Sequence, residues 1–550
     1  MKTMKAKTKG LFNCLPINRV TTVIRRSGVL YLMFALIYLV PGYKSFAQSD
    51  KTIQQIQDEG LNRSQLEQTL VYLTEMIGPR LSGSPAMQRA SNWTRDRLSE
   101  LGFDNVHLES WGRFLPGWTL NRFSAQVIEP RCIPLIAFPK AWSPGLPTAL
   151  EAVAVYFDAA NKTDLEKYRG KLRGKIVLNG GVRKIGLHFD PDAKRRTEKD
   201  LLQMSNAPAA SQLHPVQQNS VQQSPPGPQS ARLDDADKAQ FFLDEGAAVI
   251  LEAGSQGDGG TLFVDGPTLP RSLRSRTSLP DEKEMVGNIV PQVIVAVEQY
   301  NSMVRIIQGG DHLKLAIDLS VTFAPSTENY NTIAEIHGSD LADQIVMLGA
   351  HLDSLHSGTG ATDNAAGVAT VVEAMRILKA LGLAPRRTIR VALWSGEEEG
   401  MKGSHAYVEQ HFGKMEGNKL VPKADYEKLS AYYNIDYGSG KIRGVYLQGI
   451  ERAYPILREW LAPFHEAGAD NLTLSEFGSS DQASFNALGL PGFFFIQDEL
   501  ERSRTHHSNQ DLFDRVQIDE LKQNAIIMAA LVFKTAMRDE RMPRRALPLR

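Results

Sequence analysis

The sequence predicts a layered α/β fold around a mostly parallel central sheet, and three features of the chain carry this prediction. From about Asn329 onward, short apolar runs alternate with longer segments of helical periodicity, as they do in α/β domains. Residues 345–348 are a wholly apolar run, which a central parallel strand needs because both of its faces are buried. The helical periodicity is clearest after Asp363, where apolar residues stand at Val368, Val371, Val372, Met375 and Leu378.

The size and composition of the chain bound its class. A chain of 550 residues is too long for one compact core, so we expect two domains. Apolar residues make up 42% and charged residues 23% of the sequence, which is typical of soluble globular proteins. The formal net charge is zero, which argues against a nucleic-acid or membrane-surface partner because both attract basic proteins.

The N-terminus has the pattern of a secretory signal peptide. Arg25 and Arg26 precede an apolar run at residues 29–40, and small residues follow at Ser45 and Ala47. We predict cleavage after Ala47, which leaves a secreted or periplasmic protein with no stable membrane insertion. The apolar run is short for a bilayer span, although an uncleaved N-terminal anchor stays an alternative.

The cysteines predict a mature protein without internal disulfides. Cys14 would leave with the signal peptide, and Cys132 then has no partner within the chain. Neither a histidine nor a helix start lies near Cys132, so we expect a buried structural thiol rather than a catalytic one.

The segments before the α/β region differ in their sequence pattern and composition. Residues 51–110 have helical character, and a second helix is predicted from residue 86 to about residue 101, ended by Gly102. From about Glu151, short β-type runs replace the helical pattern. Residues 203–234 are rich in Gln, Ser, Pro and Ala, so we predict a disordered insertion there, because such a segment buries too little apolar surface to offset its ordering entropy.

Acidic and imidazole side chains follow the ends of the predicted strands in the α/β region. Because the carboxyl ends of parallel strands share one edge of a sheet, where ligands bind, we expect these side chains to lie together. The set comprises His351, Asp353, Asp363, Glu397, Glu398, Asp436, His506 and His507.

The mixture of oxygen and nitrogen donors in this set suits zinc or a similar first-row ion. Two neighbouring ions would need a shared carboxylate, and a further carboxylate must stay free to take a proton from metal-bound water. Glu397 and Glu398 can divide these roles. Each motif alone has an ordinary structural explanation, such as an N-cap for Asp363 or a surface pair for His506 and His507. Only their joint occurrence favours a metal site.

The motifs resemble those of the M28 family of co-catalytic zinc peptidases, and the resemblance covers nearly all of the mature chain. The early signature of that family is matched at residues 78–83. The matching metal and base motifs stand at 349–354, 360–367, 394–400 with 403–404, 434–436 and 506–511, and the late substrate-rim segments at 478–481 and 489–491.

Carried over position by position, the resemblance implies two Zn²⁺ ions per chain. The ligand set that it implies is His351 and Asp436 for one zinc, Glu398 and His507 for the other, and Asp363 as the bridge between them.

The resemblance also implies roles for the residues around the ions. Glu397 would be the general base, and Asp353 would orient His351 from behind. His506, Ser480 and Asp481 would stand at the substrate rim.

The resemblance further implies an inserted domain. Residues 150–322 resemble a protease-associated domain, most clearly at residues 174–178 and 246–250. Such a β-rich domain covers the site and limits substrate size. It would divide a three-layer peptidase domain into residues 48–149 and residues 323–540.

The function that follows is a secreted zinc exopeptidase acting on short peptides or dipeptides, in which zinc-bound hydroxide attacks the peptide carbonyl and Glu397 is the base. His506 stands where aminopeptidases of the family often have Tyr, which is similar to the dimeric carboxypeptidase Q branch, so a homodimer is also expected. Glu399, often apolar in the family, has no explanation from sequence. Amino- or carboxypeptidase polarity stays open, and the alternatives are a one-zinc glutaminyl-cyclase-like acyltransferase and an inactive peptidase-fold binding protein.

Overall fold

The computed structural model describes residues 41–207, 233–274 and 281–545. The chain divides into two units, Met1–Gln55 and Ile56–Arg550, and the described backbone of the first unit is helical. The apolar run of the predicted signal peptide lies outside the described residues, so cleavage after Ala47 stays a prediction. Within the described ranges, no helix combines the length and the apolar character that a membrane crossing requires.

A mixed eight-stranded sheet forms the centre of the second unit. Its middle strands are parallel: Leu341–His351 pairs with Arg387–Trp394 on one side and with Leu429–Asn434 on the other. The strands lie in the spatial order Asp104–Arg113, Glu328–Ile336, Arg387–Trp394, Leu341–His351, Leu429–Asn434, Gly492–Gln497, Ile442–Tyr446 and Asn471–Thr473.

Helices cover both faces of this sheet, which confirms the three-layer α/β prediction. Ile345 and Met347 pack in one apolar cluster with Tyr407 and Phe485 from the helices of one face. Because successive side chains of a strand alternate between faces, the residues between them point to the opposite side. There the helices Ala366–Ala380 and Ile518–Met537 pack against each other and against the same strand.

A second eight-stranded sheet is built from residues 117–324. One half is antiparallel and the other half is parallel, and a core of aliphatic side chains from both halves is buried. The strand order is Ile133–Pro134, Gly117–Glu129, Lys314–Ala324, Leu150–Phe157, Ile176–Asn179, Val249–Glu252, Gln292–Val295 and Ala137–Pro139. The first strands of this sheet precede residue 150, and a separate protease-associated domain with boundaries at 150 and 322 stays a prediction.

The remaining elements are helices and one small hairpin. The hairpin pairs Gly413–Glu416 with Lys419–Pro422. The helices outside the turns are Pro41–Asn62, Leu66–Val71, Tyr72–Ile77, Pro85–Glu100, Glu198–Ser205, Asp235–Asp244, Arg271–Arg274, Glu282–Asn288, Val297–Gln308, Ala361–Ala365, Ala366–Ala380, Lys402–His411, Tyr454–Leu461, Gln482–Asn486, Arg502–Thr505 and Ile518–Met537.

Three expectations from the sequence differ from the structure. The helical prediction for residues 51–110 is wrong at its end, because Asp104–Arg113 is a strand whose backbone pairs with Glu328–Ile336. The helix Glu198–Ser205 includes residues 203–205, which belong to the predicted disordered insertion. Residues 208–232 of that insertion lie outside the described ranges. Cys132 is exposed rather than buried, since it follows the end of a strand at the border of the second sheet.

Candidate metal centre

The central sheet brings the first group of predicted ligands together. His351 is the last residue of the strand Leu341–His351, and Asp436 follows the neighbouring parallel strand Leu429–Asn434 by two residues. Asp363 lies in the short π-helical turn that leads into the next helix. The carboxyl ends of these strands therefore meet at one edge of the sheet.

His351 lies at the centre of this group. Its Nε2 atom is 3.1 Å from Oδ1 of Asp363 and 3.2 Å from Oδ1 of Asp436, and all three side chains are buried. Glu397 joins the group, since its carboxylate can place an oxygen within 4.8 Å of the ligand atoms of His351 and Asp436. A buried imidazole with converging carboxylates is a donor set that zinc takes.

His507 lies at the centre of a second group. Its Nε2 atom is 2.9 Å from Oε2 of Glu398 and 3.3 Å from Oδ2 of Asp363. Asp363 thus turns one carboxylate oxygen toward the imidazole of His351 and the other toward the imidazole of His507. This is the arrangement that a ligand shared by two ions requires.

His506 also lies within the cluster. Its Nε2 atom is 3.4 Å from Oδ2 of Asp363, and its ring stacks on the ring of His507 with the centroids 3.7 Å apart. The side chain keeps 37% of its surface exposed, so it faces solvent as well as the carboxylate of Asp363. Its role at a substrate rim stays a prediction.

The electrostatics of the cluster favour a cation. Burial opposes a charge on His507, but hydrogen bonds to Asp363 and Glu398 outweigh it and raise the pKa of the imidazole to about 11. Burial raises the pKa of Glu397 to about 10, and the negative charge of the nearby Asp436 adds to this effect. Carboxylates crowded in a low-dielectric site repel one another, and positive charge placed among them relieves that repulsion.

The residues present fit bound metal. Three groups of three donors, drawn from three histidines and four carboxylates, have ligand atoms within 4.8 Å of one another within each group. Oε1 of Glu398 is buried and accepts no hydrogen bond within the described part of the chain. A buried carboxylate oxygen without a donor is costly, and a metal ion would satisfy it.

The comparison with protein families decides what this cluster belongs to. The model described as peptidase family M28 matches residues 331–532, a segment that contains every predicted ligand and the predicted base. Residues 331–532 form a peptidase family M28 domain. The resemblance seen in the motifs is confirmed, and with it membership of a family of hydrolases.

The similarity to curated relatives reaches beyond the segment that the family model matches and covers most of the chain. It is 25% identical to carboxypeptidase Q of Homo sapiens over 485 residues, which cover 86% of each chain. It is 25% identical to carboxypeptidase Q of Pongo abelii over 504 residues, or 91% of each chain. Leupeptin-inactivating enzyme 1 of Streptomyces exfoliatus is 32% identical over 233 residues, which cover 38% of this chain and 50% of that protein.

Solved structures show the same fold. A crystal structure of a peptidase M28 precursor from Shewanella amazonensis SB2B superposes with a TM-score of 0.63 at 24% identity, covering 92% of this chain and 100% of that one. BSAP, a zinc aminopeptidase from Bacillus subtilis, has a TM-score of 0.50 at 18% identity, with 86% of this chain and 95% of that one covered.

Asp353 contacts the cluster through its main chain and through its side chain. Nδ1 of His351 donates to the main-chain oxygen of Asp353 at 3.1 Å, which leaves Nε2 for the ligand side. The Asp353 carboxylate instead accepts from the hydroxyl of Ser82 and from the backbone N–H of Glu398, both at 3.2 Å. The other carboxylate oxygen, Oδ1, lies 3.7 Å from Nδ1 of His351. Asp353 therefore contacts His351 mainly through its backbone, and the role of orienting His351 stays a prediction.

Asp511 supports the cluster, although its sequence motif alone predicts no role for it. Its buried carboxylate accepts from the backbone N–H groups of Thr362 at 2.5 Å and Asp363 at 3.1 Å. Burial raises the pKa of Asp511 to about 7. The sequence signal for a supporting role is its place four residues after His507, in the last matching motif.

Ser480 and Asp481 do not lie at an exposed rim, where the sequence predicts them, because both side chains are fully buried. The Ser480 hydroxyl accepts from Nδ2 of Asn434 at 2.8 Å, which ties it to the strand beneath the cluster. Neither carboxylate oxygen of Asp481 has a hydrogen-bond donor among the described residues. These two residues therefore lie behind the cluster and do not border open solvent.

The Glu399 side chain lies near Asp353 and Glu398. Burial raises the pKa of Glu399 to about 8, with the negative charge of Asp353 adding to the effect. Its Oε2 atom is buried and lacks a donor within the described ranges. The residue that the family pattern left unexplained thus adds a further carboxylate next to Asp353 and Glu398.

Proposed function

We propose that this M28 peptidase is a secreted exopeptidase that holds two zinc ions and acts on short peptides or dipeptides. The observation that carries the proposal is the position of Asp363, whose carboxylate oxygens lie 3.1 Å and 3.3 Å from the imidazoles of His351 and His507. A shared carboxylate suits two neighbouring cations, because the anion between them lowers their repulsion. The names carboxypeptidase Q and zinc aminopeptidase among the similar proteins support the assignment.

The ligands divide between the two ions as the resemblance implies. His351 and Asp436 would hold one ion, Glu398 and His507 the other, and Asp363 would lie between them. When bound, the ions supply Lewis acidity that activates water and polarises the peptide carbonyl. Both imidazoles must be unprotonated at the ligating nitrogen, and the hydrogen bond from Nδ1 of His351 to a carbonyl oxygen keeps its Nε2 available.

Glu397 would act as the general base. Its carboxylate reaches the group of His351 and Asp436, while the adjacent Glu398 faces His507. Glu397 would take a proton from the water whose oxygen attacks the peptide carbonyl carbon. It would return that proton to the amine nitrogen as the C–N bond breaks.

Glu397→Gln tests the proposal. The variant should lose dipeptide turnover while it retains the zinc content of the wild type, measured by elemental mass spectrometry on the purified protein. Glu409→Gln, at an exposed position on the helix Lys402–His411, is the matched control and should change neither quantity. Turnover that survives Glu397→Gln would rule out this base.

Zinc stoichiometry separates the proposal from its rivals. Two ions per chain with peptide hydrolysis support it. One ion per chain with cyclisation of N-terminal glutamine would favour the glutaminyl-cyclase-like alternative, and zinc binding without any turnover would favour the inactive binding protein.

Export, assembly and partners are also part of the proposal. The N-terminal pattern around Ala47 supports secretion or transport to the periplasm. A homodimer and the absence of nucleic-acid binding stay predictions from the sequence, which light scattering and a nucleic-acid binding assay on the mature protein can test.

A further inference from the structure

A cavity of about 310 Å³ lies beside the metal-binding cluster. Its wall includes Thr362, Gly438 and Thr505, each of which stands within two positions of a proposed metal ligand. Small-molecule pockets span roughly 300–1,000 Å³, so the volume is at the lower end of that range. The cavity therefore suits a ligand of about dipeptide size, held next to the residues that flank the cluster.

The acidic residues of the cavity wall are already neutralised. Glu501 pairs with Arg515 at 3.1 Å, and Glu499 lies 3.6 Å from Arg196. Arg195 is likewise occupied by the buried carboxylate of Asp498 at 2.9 Å. None of these groups leaves a net charge directed at a ligand.

Two cations of the wall, Lys194 and Arg502, form no ion pair with a carboxylate in the described part of the chain. The guanidinium carbon of Arg502 lies 4.6 Å from the centroid of the Tyr437 ring, and Tyr437 directly follows the ligand Asp436. An arginine that stacks on an aromatic face keeps the N–H groups at its edge free to donate. The cavity thus carries unneutralised positive charge next to the cluster.

The second sheet region closes this side of the cavity. Lys194 and Leu500 exchange backbone hydrogen bonds, with N–H to O distances of 3.0 Å and 2.7 Å. Leu500 precedes Arg502 by two positions on the segment that leads to His507, so this backbone contact holds Lys194 beside the segment that carries Arg502.

We propose that Arg502, with Lys194 beside it, binds the free C-terminal carboxylate of the peptide substrate. Arginine presents a planar fork that matches a carboxylate with two parallel hydrogen bonds. The last peptide bond joins the terminal residue held there to the residue before it, whose Cα atom is about 3.8 Å away. Anchoring that terminus beside the cluster presents the last bond for cleavage and gives carboxypeptidase or dipeptidase polarity. The inference rests on the proposed peptidase function and specifies the chain end that it reads.

Arg502→Gln tests the inference with a dipeptide and its C-terminal amide as paired substrates. The wild type should prefer the free acid, and the substitution should lower kcat/KM for the free acid by about 10- to 100-fold, as expected for the loss of a charge-assisted hydrogen bond. Turnover of the amide should stay unchanged. Arg502→Lys, which retains charge without the fork, should recover part of the preference.

Arg504→Gln is the matched control. Arg504 lies on the same short helix, 3.5 Å from Glu501 and 3.9 Å from Asp192, and does not line the cavity. It should leave the preference for the free acid intact. An equal loss for acid and amide in Arg502→Gln, or no loss for either, would overturn the inference.

Binding measurements separate this inference from the proposed function. If the zinc-loaded wild type cleaves neither substrate, the peptidase proposal fails, and calorimetric titration with the dipeptide and its amide still tests the site. Tighter binding of the free acid that disappears in Arg502→Gln supports the carboxylate site. Equal binding of acid and amide by the wild type contradicts it.

Discussion

Arg80 donates a hydrogen bond from Nη2 to the main-chain oxygen of Gly360 at 2.8 Å. The guanidinium is completely buried, and it also donates to the carbonyl oxygens of Leu352 at 2.7 Å and Thr359 at 2.8 Å. Burial lowers the pKa of Arg80 to about 10. Arg80, which is far from the candidate ligands in sequence, thereby joins the segment after His351 to the turn that carries Asp363.

Arg80→Met should destabilise the protein by at least about 2 kcal/mol, because buried carbonyl groups that lose their donor cost about 1–3 kcal/mol each. The free energy of unfolding in urea measures this loss. Arg113→Met is the control, since 73% of the Arg113 side chain is exposed, and surface changes usually stay within about 0.5 kcal/mol. Equal effects of the two substitutions would show that the Arg80 network does not stabilise the fold.

The grouping of the acidic and imidazole side chains could be predicted from the sequence because short buried strands have a strong local signal. Residues 345–348 are apolar without interruption, and the polar residues that follow must then lie at the sheet edge. The geometry around Asp363 agrees with the bridging position that the motif implies. The roles of the individual ligands stay proposals.

Other features depend on contacts that local sequence does not reveal. Asp104–Arg113 is a strand because the edge of the central sheet offers it a partner, although Val106 and Leu108 already had the alternation of a strand. The burial of Asp481 follows from the helix that begins beside it and packs onto the sheet. Arg502 forms no ion pair with the described residues because the nearby acids have other partners, and local sequence does not reveal such a pattern.

Asp511→Asn should lower kcat/KM by about 10- to 100-fold, the usual effect of losing a group that orients a metal ligand. The carboxylate accepts from the N–H groups of Thr362 and Asp363, and an amide can present only one oxygen to those two donors. Steady-state kinetics and zinc titration measure the effect. The control is Asp514→Asn at a nearby exposed position, which should behave as the wild type. Unchanged zinc affinity and activity in Asp511→Asn would contradict the positioning role.

Asn509 joins the last ligand loop to the second sheet region. Its Oδ1 accepts from the N–H of Leu262 at 2.8 Å and its Nδ2 donates to the carbonyl of Gly260 at 3.1 Å. The N–H of Val264 donates to the main-chain oxygen of His507 at 3.3 Å. The position of a proposed ligand therefore depends on a segment outside the family match.

Asn509→Ala should speed hydrogen exchange at residues 260–264 and lower kcat/KM by about 10-fold, since a ligand held less firmly binds metal less well. Hydrogen-exchange mass spectrometry and kinetics give the two readouts. Asn121→Ala removes an exposed bond to Thr322 within the second sheet and should change neither. Normal exchange at residues 260–264 in Asn509→Ala would show that the backbone contacts suffice.

The burial of His356 predicts a loss of stability in acid. The ring packs edge-on against Trp118 and Phe138, and its Nε2 lies 2.8 Å from the carbonyl oxygen of Pro139. Burial lowers the pKa of His356 from 6.5 to about 4. Between these values the unfolded chain binds a proton that the folded chain excludes, so stability falls as the pH falls.

The full effect on the free energy of unfolding is about 3 kcal/mol, at about 1.4 kcal/mol per pKa unit, and it is complete near pH 4. His356→Phe removes this proton uptake, so the stability difference between wild type and variant should narrow, or reverse in sign, from pH 7 to pH 4. Urea unfolding at several pH values measures it, with the exposed His312→Gln variant as the control that follows the wild type. A pH-independent difference between His356→Phe and the wild type would mean that His356 has the same pKa in the folded and unfolded states, which would contradict the effect of burial.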